Sequence, residues 1–295
     1  MQFSKNRIAG TASAILSSAT FGLAPIFTIK LLDAGYSPCE ALSYRWGIAA
    51  LFLIAVGLLA RHSFRISKAE FGTVFWLSLL RAGTSFALAI AYANIASGVA
   101  STIHFIYPLA VAAGMMLFFH ERFSPLTFAA ILTSIVGATL LSIDGSEIPD
   151  GNTTMGILAA TLSVVCYGGY MIGVKQSCAS KMDATVLTCY VMALSALFFI
   201  GGGLLTGGVR MEHDPELWGY ILGLSIPATA VSNIALVWGI KRIGPTLTSF
   251  FGALEPLTAV VIGIWLRNEP FTMMCALGMA LTILAVFMAA QKKEN

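Results

Sequence analysis

The chain has 295 residues, 57% of them hydrophobic and only 11% charged, with a mean hydropathy of +0.84. A water-facing domain carries about 25% charged residues, so a soluble fold is excluded: a shell this poor in charge would expose very large apolar patches. The net charge of +3 is small and no basic tract is long; nucleic acid is excluded as a partner, and the lipid bilayer is the expected surrounding.

A helix needs roughly 20 apolar residues to cross the hydrocarbon core. Taken in order, the apolar runs between polar breaks predict ten spans. The first, 8–31, follows Lys5 and Arg7 like a signal peptide, but it runs on to about Leu32 and other spans succeed it, which favours a retained helix. Next come 39–60 with Arg45, 70–93 with Arg81, 97–119 and 125–143. An acidic segment from Asp144 to Asn152, rich in Gly, Pro and Asp, opposes helix and marks the one mid-chain break. The remaining spans are 154–177, 184–206, 216–238, 243–266 and 272–290. The tightest joints, near Ala96-Ser97 and Ile243-Gly244-Pro245, leave eight or nine spans as the competing count. The expected fold class is therefore an all-α membrane protein: a first five-helix repeat over 1–143, an outer linker at 144–153, and a second five-helix repeat over 154–295.

Charge tests the count. Of the 17 Lys and Arg residues, ten spans put twelve on one side and only Lys30, Arg210 and Arg267 on the other, with Arg45 and Arg81 inside the membrane. Positive loops stay cytoplasmic, so both termini are expected in the cytoplasm, in a multi-pass protein of the plasma or inner membrane. Removing one span would invert every later loop. Because five is odd, any likeness between the halves must be of inverted topology.

Such likeness is present. At an offset of 148, 96–123 aligns without gaps on 244–271, pairing Pro108 with Pro256, Glu121 with Glu269 and Phe123 with Phe271. At an offset of 146, Tyr44 pairs with Tyr190, Leu51-Phe52 with Leu197-Phe198, and Phe21-Gly22 with Tyr167-Gly168. A proline, a 12-residue apolar stretch and a glutamate close both the fourth and the ninth spans. This pattern resembles the EamA domain of the drug/metabolite transporter superfamily, in two tandem copies covering nearly the whole chain. The second copy, ALEPLTAVVIGIWLRNEPFTMMCALGMALTILAVF, is the nearer fit; ALSYRWGIAALFL and AYANIASGVASTIHFIYPLAVAAGMMLFFHERF carry the likeness in the first. The resemblance implies a secondary transporter with a central cavity between the halves and alternating access, which agrees with the general logic of inverted-repeat transporters. The copies differ where it matters: Val191 stands opposite Arg45, and Tyr107 stands opposite Glu255.

An ionisable group at mid-bilayer costs about 2.5–3.5 kcal/mol on insertion scales, so Arg45, Arg81, His104 and Glu255 each demand a reason. Glu255 shares a face with Thr248, Phe251 and Thr258; it binds a substrate amine or a coupling proton, or else has a structural role in an ion pair with Arg81 or Arg45 or in an interhelical hydrogen bond. Arg81 could clamp a carboxylate bidentately or be that permanent partner. Arg45, a turn or two from the outer end, reads first as an anchor snorkelling to the headgroups and second as a site residue. His104 could donate to substrate, or be a satisfied bundle histidine. Glu121 and Glu269, beside Arg122 and Arg267, read as helix-end pairs. Tyr92, Tyr107 and Trp238, among other aromatics scattered through the spans, are candidate cavity lining for apolar metabolites or organic cations, against membrane-interface belts. Pro25, Pro108 and Pro256 are candidate hinges, since proline removes a backbone donor. Cys39, Cys166, Cys178, Cys189 and Cys275 have no metal spacing and, four of them lying in apolar runs, read as buried free thiols acting as small hydrophobes.

The function expected is a gradient-driven exporter of small metabolites such as amino acids, with a zwitterion recognised at its two ends by arginine and glutamate, and protons as a candidate coupling ion. The alternative is a drug or quaternary-amine exporter. An intramembrane enzyme is the less favoured class, because HExxH, GxSxG, paired catalytic carboxylates and a phosphate-cradling loop are absent from the sequence. No cofactor or metal is expected, and the oligomeric state is left open. Loops this short leave no room for a signalling domain.

Overall fold

The structure, a computed structural model, describes residues 5–95, 97–121, 125–142, 151–205, 207–258, 261 and 272–290. Among these the regular structure is helical throughout: α1 (Lys5–Phe21), α2 (Ala24–Asp33), α3 (Pro38–Leu59), α4 (Lys68–Asn94), α5 (Ser97–His104), α6 (Tyr107–Phe119), α7 (Pro125–Ser142), α8 (Thr153–Gln176), α9 (Ala184–Leu205), α10 (Pro215–Ser225), α11 (Ser232–Phe251) and α12 (Met273–Ala290). Seven helical segments are long and apolar enough to cross a membrane, the last of them the 37-residue stretch Pro215–Phe251. Two shorter apolar helices, Phe128–Gly137 and Ala276–Ala285, lie within α7 and α12. Exposed side chains on these helices are large and apolar, among them Leu51, Leu58, Trp76, Phe118, Leu158 and Leu204. Such a surface belongs in lipid.

Helix starts are written into the sequence. Ser37 with Glu40, and Ser67 with Glu70, form reciprocal capping boxes that satisfy the first free amides of α3 and α4. Asn152 caps α8 and Asp214 caps α10, the latter followed by Pro215 in the first turn where its missing N–H costs nothing.

Two spans expected to be continuous are broken. The first is interrupted at Gly22-Leu23, with Pro25 in the first turn of α2; the fourth is interrupted at Phe105-Ile106, with Pro108 in the first turn of α6. Each proline withholds a backbone donor, and tighter turns take over, as in Leu23 N–H to Thr20 O and Ile106 N–H to Ile103 O. A third break follows α11: Gly252 and Ala253 form a turn before helix resumes at 254–258, which carries Glu255 and Pro256. Inside α11, Gly244 takes φ 82° and ψ 162°, a conformation that glycine alone adopts without strain, and the chain changes direction before Pro245. Between α10 and α11, Pro227 sits in a π-helical turn, Ile226–Val231.

The most extensive pairings are α1 with α11, α4 with α8, α7 with α12 and α3 with α9, each joining the first half of the chain to the second. Small residues let them approach. A Cβ on Gly10 would come within 2.6 Å of Ile243 Cγ2, and one on Gly156 within 2.5 Å of Ile95 Cγ2. Gly156 is 146 residues after Gly10, and Ile243 is 148 after Ile95, so the two contacts are one contact with the halves exchanged. Gly22 against Thr258, and Gly168 against Ala110, repeat the exchange at the same offsets.

Candidate functional site

The breaks meet at the centre of the bundle. Gly22 lies directly against the Glu255 carbonyl, and Gly252 directly against the Tyr107 hydroxyl; neither site has room for a Cβ. Tyr107 and Glu255, each in the first turn after a break, are hydrogen-bonded through their side chains. Tyr107 packs edge-on against Tyr167 at 4.6 Å between centroids, and His104 stacks at 5.2 Å from Tyr107 and 5.4 Å from Tyr167. His104 Nδ1 lies 2.8 Å from Ser163 Oγ, whose own proton goes to the Ala160 carbonyl. Nδ1 is therefore the donor and Nε2 an unprotonated acceptor, buried without a partner.

Beside this cluster lie both arginines. Arg81 is 1% exposed, with its guanidinium carbon 5.1–5.8 Å from the rings of Tyr167, Phe21, Trp46 and Tyr170. Its Nε donates to Asn233 Oδ1 at 2.8 Å, while the Asn233 amide nitrogen donates to the Thr229 carbonyl. Arg45 is 5% exposed, shares Phe21 and Trp46 with Arg81, and donates from Nε to Thr229 Oγ1 at 2.7 Å. Snorkelling is thus corrected: α3 turns Arg45 inward, where aromatic faces and Thr229 receive it. Ion pairing with Glu255 is corrected as well, since among the described residues the salt bridges are His62–Asp183 and Arg210–Glu40. Arg45 Nη2, Arg81 Nη1 and Nη2, Trp46 Nε1 and the Tyr170 hydroxyl are buried without hydrogen-bond partners. Buried polar groups are nearly always paired, so this concentration of open donors is the most unusual chemistry among the described residues. A narrow cavity bounded by Phe21, Pro25, Thr28, Arg45, Ser85 and Tyr92 reaches its Arg45 side.

Sequence reasoning missed Thr229 and Asn233. Both flow from the π turn, which Pro227 opens and which turns Thr229 and then Asn233 toward the arginines; π turns recur at functional sites. The available signal was a proline followed by Thr229, Ser232 and Asn233 in an apolar span. Of the expected lining, Phe251 is buried just before the Gly252 turn, but Trp238 stays out: it is 42% exposed with Arg242 over its ring at 5.0 Å. Glu121 accepts from Thr246 Oγ1 at 2.8 Å, joining the two halves. Arg122, Arg267, Glu269 and the acidic segment up to Asp150 lie outside the described residues, as does the side chain of Cys275; Cys39, Cys166, Cys178 and Cys189 are free thiols.

Both ends of the bundle are tied by the same bond. Tyr44, on α3, donates to the Arg210 carbonyl, and Tyr190, on α9, donates to the Phe64 carbonyl at 2.7 Å. Tyr190 is 146 residues after Tyr44, and Arg210 is 146 after Phe64. At the Tyr44 end a larger clasp forms: Arg210 stacks on Tyr36 at 4.2 Å and donates to Glu40, and Tyr36 donates to Glu212. That bond, with the amides of Asp214 and His213, holds the Glu212 carboxyl below its ordinary range, while burial and Glu212 push the Tyr36 hydroxyl up. His62 and Asp183 mark the opposite end.

Comparison with known proteins agrees with this architecture. The sequence profile of the EamA-like transporter family matches residues 8–143 and again 154–291. An uncharacterized transporter of Archaeoglobus fulgidus is 24% identical over 58% of this chain and 60% of its own, so the chain spans about six-tenths of that relative. The threonine/homoserine exporter RhtA of Escherichia coli K12 is 27% identical over 77% of this chain and 75% of its own. A solved crystal structure shares the fold at a TM-score of 0.79, with 18% identity and 98% of both chains covered.

Proposed function

The chain belongs to the EamA-like transporter family, and on that premise we propose that it is a secondary-active exporter of small metabolites such as amino acids, working by alternating access. It is a multi-pass membrane protein and a transporter, not an enzyme. The observation that carries the reading is the enclosed centre of Arg45, Arg81 and Glu255, with equivalent tyrosine bonds closing the bundle at its two ends. In alternating access one end opens while the other stays shut, and a repeat related by exchange of halves gives each end the same latch. Pro25, Pro108 and Pro256 serve as hinges at the three breaks.

Ten spans in two inverted repeats, with both termini cytoplasmic, complete the proposal. A straight helix of 37 residues would be about 55 Å long, against about 30 Å of hydrocarbon, and the Gly244 turn supports dividing Pro215–Phe251 into two spans. The short apolar helices in α7 and α12 supply the fifth and tenth. The twelve-to-three charge split supports the orientation, which places the Tyr44 end outside.

Substrate is bound by Arg81, Arg45, His104, Glu255 and Tyr107, with Tyr92 and Phe251 as nearby lining, and Glu255 carries the coupling proton. The name of RhtA, a threonine/homoserine exporter, supports an amino-acid-like substrate. The aromatic surround would suit an organic cation, but Arg81's own guanidinium already occupies those ring faces, which opposes that alternative. Counterflow in proteoliposomes across an amino-acid panel, with and without a pH gradient, tests the reading. Saturable, gradient-stimulated flux is expected; absence of flux for every member sinks it.

A further inference from the structure

We infer that the central site requires a carboxylate on its substrate and does not require an amine. This deepens the transport reading and rests on it. The argument is an inventory of what the buried centre leaves open. Arg45 and Arg81 each use Nε on a side chain at or just after the π turn, Thr229 and Asn233, which orients both forks. The atoms left without partners are then Arg45 Nη2 and both Nη of Arg81. Guanidinium and indole nitrogens can only donate, and Trp46 Nε1, also unpartnered, adds a further donor. A carboxylate offers two oxygens with about four acceptor positions and meets a guanidinium fork in plane.

Charge points the same way. Two guanidiniums share the Phe21 and Trp46 rings, both are at least nine-tenths buried, and neither is within ion-pair distance of an acidic group among the described residues. An anion entering here relieves their mutual repulsion. A cation entering would add to it, and Glu255, the nearby carboxyl among the described residues, feels the Arg81 charge from beyond ion-pair distance and is hydrogen-bonded to Tyr107. His104, packed like Arg81 against the Tyr167 ring, keeps Nε2 as a neutral acceptor. It can receive a 2-hydroxyl as readily as an ammonium, so the amine is interchangeable and the carboxylate is not.

The test is ligand binding to purified full-length protein in lipid nanodiscs, read by titration calorimetry and thermal shift. The probes are L-threonine and L-phenylalanine, their 2-hydroxy acid analogues, their carboxamides, and tetraethylammonium. Expected are binding of the amino acid and hydroxy acid of at least one pair within tenfold of each other, and at least tenfold weaker binding of the carboxamide. Carboxamide binding equal to the acid, tetraethylammonium binding in place of acids, or no binding of any acid overturns the inference. Arg81→Lys keeps the charge and loses the fork, and is expected to weaken acids at least tenfold. Where that variant fails to fold, Asn233→Asp serves instead: it sets a carboxylate against Arg81 and is expected to abolish acid binding while leaving the unliganded melting temperature unchanged or higher. Acid binding undiminished in both variants overturns the assignment. Flux of a cation in proteoliposomes would sink this inference and keep the transporter reading; acid binding without flux would do the reverse.

Discussion

Tyr107 and Glu255 hold the same place in the two repeats, 148 residues apart, and hydrogen-bond to each other. In an exchange-symmetric bundle such a pair sits where the halves meet, so a position at which the two copies differ in chemistry is also a point of contact. Glu255→Gln keeps a side chain able to bond Tyr107 but cannot release a proton. Transport is expected to fall about tenfold or more, in line with hydrogen bonds to charged groups, and the pH-gradient stimulation to vanish. Tyr107→Phe is expected to slow transport while keeping that stimulation. Stimulation surviving in Glu255→Gln refutes the proton role.

The tyrosine latches make opposite predictions for the two ends. Tyr44→Phe frees the Arg210 carbonyl, and Tyr190→Phe frees the Phe64 carbonyl. One such hydrogen bond is worth about 1 kcal/mol, or about fivefold in the open population. With a cysteine at Ser85, on the cavity wall, and the native cysteines replaced, an impermeant thiol reagent is expected to label faster from the Tyr44 end in Tyr44→Phe and from the Tyr190 end in Tyr190→Phe. Equal labelling from both sides in either variant refutes the latch role.

Gly10 and Gly156 are expected to fail alike. Alanine at either forces the facing isoleucine, Ile243 or Ile95, to shift, and overpacking of this kind costs about 1–3 kcal/mol. Trimming the isoleucine to alanine in the same molecule is expected to recover part of the loss. A double-mutant cycle on thermal unfolding, with coupling of about 0.5–3 kcal/mol, measures it.

At the Tyr44 end, Glu212 has a folded pKa below its unfolded value, so its contribution is fully present above the ordinary carboxylate pKa and is lost as pH falls through the lower folded one. Hydrogen-exchange protection of the His213 and Asp214 amides, which donate to Glu212, is expected to stay flat from about pH 7 to 5, and to fall only below about pH 4.3. Tyr36→Phe removes the largest contribution to that shift and is expected to move the fall upward.

Much of this was legible in the sequence. Arg81, Glu255 and His104 stood out because a titratable group in an apolar run needs a reason, and the offsets of 146 and 148 exposed the repeat. Arg45 was misjudged because sequence gives depth along a helix but not its rotation, and rotation decides between headgroup and core. Thr229 and Asn233 stayed hidden because neutral polar side chains are ordinary in membrane helices; their importance depends on a π turn, set by how Pro227 breaks one ladder. The match of Tyr44 with Tyr190 was visible, but a backbone carbonyl as partner leaves no side-chain signature.

The four principal pairings all run between the halves, and this governs how the molecule is made. As the ribosome delivers α1 to α7, none of them has its main neighbour; α4 waits for α8, α3 for α9, α1 for α11, and α7 for α12. The first-half helices therefore complete their principal packing only once the second half is inserted. Loss of α12 strands α7 as well, so truncations that remove α12 are expected to be cleared by quality control as thoroughly as truncations at the midpoint.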